Sequence, residues 1–209
     1  MEERILGNTG RAVSVVGLGT WQLGADWGEV EDSAALAVLD AAARSGVTFL
    51  DTADVYGDGR SERLIGRFLA SNPGLTMMVA TKMGRRVALD PALYTLDNFR
   101  AWTDRSRANL GVDTLDLVQL HTPPAPVYSL GSVYEALDTL VAEQRIAAYG
   151  VSVETTAEAL TAIARPGVAS VYSAGSRATR RPILVATVIL SHGWAARNRP
   201  ISRSLRPSP

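Results

Sequence analysis

Apolar residues along this chain come in short unbroken runs, not in strict alternation with polar ones. The runs are "SVVGLGTW" (14–21), "VTFLDTA" (47–53), "TMMVATKMG" (76–84), "LDLVQLHT" (115–122), "AAYGVSVE" (147–154) and "VASV" (168–171). Such runs mark strands buried on both faces. Between them lie stretches with helical apolar spacing: "DSAALAVLDAAARSG", "SERLIGRFLASNPG", "TLDNFRAWTDRSRANLG", "SVYEALDTLVAEQRI" and "TTAEALTAIARPG". Gly46, Gly74 and Gly111 supply stop signals, and Thr155 with Glu158 forms a capping box. Ahead of the first run, "RILGNTGRAVS" reads as a hairpin whose "GNTG" turn tolerates positive φ. Six strands and five helices in alternation predict an α/β fold with a parallel sheet. It is either a doubly wound open sheet or an eightfold barrel that stops early, and spacing alone leaves both open.

Composition narrows the function classes. The 209 residues are 46% hydrophobic and 20% charged with no net formal charge, which fits one globular domain and gives no sign of a nucleic-acid partner. There is no cysteine, hence neither a disulfide framework nor a thiolate metal site. The opening "MEERILGNTG" lacks the apolar core of a secretory signal, and no run approaches the roughly 20 residues that span a bilayer. The expectation is a cytoplasmic protein without a membrane partner. Charge is unevenly distributed: residues 172–209 hold 7 Arg and no Asp or Glu, so the expected division is 1–171 as the folded unit and 172–209 as a basic, disordered tail.

In either architecture chemistry collects at the carboxyl ends of the strands. Those ends present Thr20 and Trp21, Asp51, Lys82, His121 and Ser152. Lys82 is the only lysine in a chain that otherwise uses arginine, and lysine is the compact, tunable cation of the two. Tyr56 follows Asp51 by five residues in a loop rich in Gly and Asp. A phenol titrates near pH ~10, and a neighbouring ammonium lowers that value by stabilising the phenolate. Asp51 would hold the ammonium, and His121 would offer a hydrogen bond to a substrate oxygen. Taken singly, each has a plainer reading: Asp51 as a helix cap or arginine partner, His121 as a satisfied histidine, Tyr56 as a packed loop aromatic. Jointly they predict carbonyl reduction, with a phenol protonating oxygen while a nicotinamide delivers hydride to carbon.

The motifs "GLGTW", "FLDTADVYGDGRSE", "VATKMG", "LDLVQLHTP" and "YGVSV" resemble, in order and spacing, those of the aldo-keto reductase family over residues 3–171. The resemblance implies a (β/α)8 TIM barrel closed at the bottom by an N-terminal hairpin, here incomplete with the last units missing. It implies Asp51, Tyr56, Lys82 and His121 as the catalytic tetrad, Tyr56 being the general acid. It places Thr20, Trp21 and Asp51 near the nicotinamide of NADPH and Ser152 on the carboxamide, with Val153 where many members are polar. From Tyr172 the text departs: the expected Gln and stacking aromatic, and the basic residues for the adenosine phosphate, have no counterpart in "VASVYSAGSRATRRPIL". A reading frame lost near Val171 is one expectation for the tail; a natural basic extension or phosphate-binding arm is the other.

The function expected is NADPH-dependent reduction of a small aldehyde or ketone. The alternatives are a non-catalytic cofactor-binding module, such as the channel β-subunits that resemble this family, and an inactive fragment. Trp21, Trp27 and Trp102 are candidate pocket walls. No metal is expected.

Overall fold

The computed structural model describes residues 1–24 and 28–173. Strands β1 (Glu3–Ile5) and β2 (Ala12–Ser14) form an antiparallel hairpin in the register Glu3↔Ser14 and Ile5↔Ala12. Its turn needs Gly7 and Gly10 at φ 48° and 70°, a region open to glycine without a Cβ clash. Then follow β3 (Leu18–Gly19), α1 (Asp32–Arg44), β4 (Phe49–Asp51), α2 (Arg60–Ser71), β5 (Met78–Met83), α3 (Leu96–Leu110), β6 (Leu117–Leu120), α4 (Gly131–Ala142), β7 (Tyr149–Val153), α5 (Thr156–Ile163) and β8 (Val168–Ser173).

The six strands β3 to β8 are all parallel and pair in sequence order. That order settles what spacing left open. A doubly wound sheet reverses direction at a switch point, whereas a barrel adds each strand beside the last. The described residues form an incomplete (β/α)8 barrel with an N-terminal hairpin.

Two apolar clusters hold it together. The larger lies between strands and helices and includes Leu39, Leu50, Ile65, Phe99, Val118, Leu137 and Val151. The smaller fills the barrel floor, where Leu6 and Val13 of the hairpin region pack on Phe49, Met78, Ala80 and Leu117. Arg11 pairs with Asp116, whose other oxygen accepts the Val79 N–H at 2.9 Å, tying the hairpin to β5 and β6.

Three elements differ from the sequence reading. The run 14–21 yields only a two-residue strand, because Val15 and Val16 are exposed where the chain climbs out of the hairpin. Helix α2 ends with Asn72 as its cap, so Gly74 is not the stop, while Gly111 caps α3 at φ 69° as expected. Strand β8 continues through Tyr172 and Ser173, two residues past the expected boundary at 171. The rest of the basic tail, 174–209, lies outside the described residues, as does Trp27.

Candidate active site

Strand register carries Asp51, Lys82 and Ser152 onto the inner face of the sheet at its carboxyl end, because Cβ atoms alternate and the odd positions of β4 share a face with the even positions of β5 and β7. The Lys82 ammonium is 1% exposed; it donates to Asp51 Oδ1 and, at 2.9 Å, to Thr52 O. Burial pushes both partners toward neutrality, raising the Asp51 carboxyl and lowering the Lys82 ammonium, and their mutual attraction opposes it.

The loop after β4 brings Tyr56 over this pair. Gly57, Asp58 and Gly59 take positive φ in succession, which folds the chain tightly enough for Gly59 to start α2. Asp58 anchors the loop by ion pairs to Arg86 and Arg105. At the first turn of α2, buried Glu62 accepts from Thr81 Oγ1 at 2.6 Å and Asn109 Nδ2 at 2.9 Å, fixing the helix to β5 and α3. The Lys82 ammonium lies 5.5 Å from the centroid of the Tyr56 ring.

His121 follows β6 in a three-residue turn: the Thr122 N–H donates to Leu120 O at 3.1 Å, and Thr122 has φ 50°. Its ring meets Tyr56 edge-on, with centroids 6.0 Å apart and planes at 85°. Burial, then the charges of Lys82 and Arg85, lower its pKa to about 3, so the imidazole is neutral across the physiological range. Nδ1 is buried and has no hydrogen-bond partner among the described residues. Trp21, 43% exposed, leans over Tyr56 at 6.3 Å between centroids.

The structure thus gathers Trp21, Asp51, Tyr56, Lys82 and His121. Ser152 is close by, its hydroxyl 3.4 Å from that of Thr122. Thr20 is fully buried with its hydroxyl engaged, donating to Asp51 O at 2.9 Å and lying 2.8 Å from the Ser61 hydroxyl. Trp102 does not join them: it packs on Tyr94 and Phe99 against the core between strands and helices. Two residues the sequence reading passed over belong to the neighbourhood. Asp54 is buried beside Tyr56, and the Tyr172 ring lies 4.9 Å from the Lys82 ammonium. A 330 Å³ surface depression lined by Asp104, Arg107, Ala108, Gly111, Val112 and Asp113 sits at the end of α3 and holds none of these groups.

The sequence profile of the aldo/keto reductase family matches residues 15–175. This chain belongs to the aldo/keto reductase family. Among its relatives is the 6-dehydroglucose reductase of Novosphingobium aromaticivorans, 38% identical over 159 residues, or 71% of this chain and 50% of that protein. A holo aldo-keto reductase from Bacillus halodurans superposes with a TM-score of 0.74 at 26% identity, covering 100% of this chain and 70% of that one. An aldo/keto reductase from Klebsiella pneumoniae in complex with NADP and acetate gives 0.62 at 27% identity, covering 75% of this chain and 51% of the other. The chain therefore spans about half the length of the reductase from Novosphingobium. As in other aldo/keto reductases, the strands form a parallel barrel sheet, here of six.

Proposed function

We propose that the site reduces the carbonyl of a small aldehyde or ketone, with NADPH as the reductant. The observation that carries this reading is the convergence of a phenol, a buried ammonium–carboxylate pair and a neutral imidazole at the carboxyl end of one sheet. Tyr56 is the general acid. As its proton moves to the carbonyl oxygen, negative charge grows on the phenolate, and the Lys82 ammonium stabilises it in a dry setting where charge interactions are strong. Asp51 keeps the ammonium in place and charged against the pull of burial. His121, held neutral, offers an imidazole N–H that orients the carbonyl oxygen without competing for the proton.

The residues present fit a nicotinamide: unpartnered buried polar atoms remain at His121 Nδ1 and Gln119 Oε1, and Ser152 adds a hydroxyl on the same face. Trp21, Asp51 and Ser152 would hold the ring, with Thr20 shaping the floor beneath them through the Asp51 carbonyl. The cofactor, when bound, supplies the hydride that goes to the carbonyl carbon. The name of the Novosphingobium relative makes a sugar carbonyl the first substrate to try.

The test is Tyr56→Phe in the purified chain, with NADPH oxidation followed in the presence of aldehydes, ketones and oxidised sugars. Turnover falls by at least about 10²-fold, in line with losing a general acid, while NADPH binding by fluorescence titration changes little. Equal turnover in Tyr56→Phe overturns the assignment.

A further inference from the structure

Lys82 has three N–H donors. Two are directed at Asp51 Oδ1 and Thr52 O. Two aromatic rings also lie near it, that of Tyr56 at 5.5 Å and that of Tyr172 at 4.9 Å between nitrogen and centroid. Tyr172 is on β8, three strands from Lys82 on β5, so its contact crosses the curled interior of the sheet. It is nearly buried and paired in register with Ser152. Room for β8 to close in comes from Gly150, where a Cβ would stand 2.3 Å from Ser170 Oγ and 2.6 Å from Ser170 O.

We infer that Tyr172 is a positioning residue whose ring face holds the Lys82 ammonium charged and aimed at Asp51 and Tyr56. An aromatic face carries negative potential and attracts a desolvated ammonium within about 6 Å. That attraction matters most where burial works against the charge, as it does at Lys82. Tyr172 is not a second proton donor. Burial and the Asp51 carboxylate push its own phenol up, making it a weaker acid than an exposed tyrosine. The titratable groups facing the ammonium are Asp51, Tyr56, His121 and Tyr172.

The inference deepens the reductase reading, because Lys82 is the group proposed to tune Tyr56, yet its test needs neither substrate nor cofactor. With a single lysine in the sequence, ¹³C- and ¹⁵N-labelled lysine gives one side-chain signal, and its shift against pH is the titration of Lys82. Tyr172→Phe, which keeps the ring, leaves the midpoint within about 0.3 unit, whereas Tyr172→Leu lowers it by about one unit. Because Tyr172→Leu also alters packing, a shape-preserving series is added: phenylalanine at 172 carrying one, two and three ring fluorines, which drain the face of its negative potential. The midpoint falls stepwise along that series. A flat series, or an equal drop in Tyr172→Phe and Tyr172→Leu, overturns the inference. A stepwise fall with undiminished turnover in Tyr56→Phe would leave Tyr172 in its role and remove the reductase assignment alone.

Discussion

Asp54 stands fully enclosed two residues before Tyr56, and among the described residues neither of its carboxylate oxygens has a well-formed hydrogen bond. Burial, then repulsion from Glu62, raises its pKa to about 7, against relief from Arg86, Arg105 and the Val55 N–H. Between about pH 4 and 7 the folded chain keeps a proton that the unfolded chain has released, so this group's contribution to stability falls as pH rises. His121 acts the other way. Its folded value of about 3 lies below the usual 6.5, so between those values the unfolded chain takes up a proton the folded chain refuses, and stability rises with pH. The two slopes offset each other over about pH 4 to 6.5. In urea titrations across that range, Asp54→Asn therefore loses more stability on acidification than the parent, and above pH ~7 it gains up to about 4 kcal/mol. His121→Asn shows the reverse slope; parallel curves for all three proteins would contradict both assignments. Asp51, Lys82 and His121 were legible because strand ends announce themselves as breaks in an apolar run. Asp54 was not, since an aspartate in a Gly-rich loop reads as solvated until α2 closes over it. Tyr172 was hidden by the change in composition that begins at that very residue.

At the level of elements, the loop 53–59 depends on Gly57. At φ 57° a side chain is strained, and a Cβ there would stand 2.1 Å from Gly24 O, in the 3₁₀ turn Trp21–Gly24 that presents Trp21 to Tyr56. Gly57→Ala thus pushes the turn and the loop apart: the expected outcome is a stability loss of about 1–3 kcal/mol, read as a lower urea midpoint. Helix α5 offers a contrast in how its first turn is closed. The Thr155 hydroxyl accepts from the Glu158 N–H, and the Glu158 carboxylate accepts from the Thr155 N–H. Thr155→Ala costs about 1 kcal/mol in denaturant unfolding. This cap was plain in the sequence because a capping box is a local pattern. The shortness of β3 was not, because whether Val15 and Val16 pair in a sheet or bridge from the hairpin depends on where distant Phe49 sits: a Cβ on Gly17 would meet its ring at 2.6 Å.

For the molecule as a whole, the apolar floor and the titratable cluster occupy opposite ends of the sheet. Leu6 is 0% exposed at the floor, while the titratable cluster is at the carboxyl ends of the strands. Leu6→Ala costs about 2–5 kcal/mol of stability, seen as a lower urea midpoint. The alternation of runs and helices was enough to predict α/β, but strand order is a long-range property and came into view only with the pairing of β3 through β8. The placement of the lone lysine has a practical consequence. Its amine is sealed in the barrel interior, so no lysine side chain is available to amine-directed reagents while the fold is closed. Acylation of Lys82 then becomes a clock for opening: its rate in dilute denaturant, read by mass spectrometry, reports how often the barrel exposes its interior.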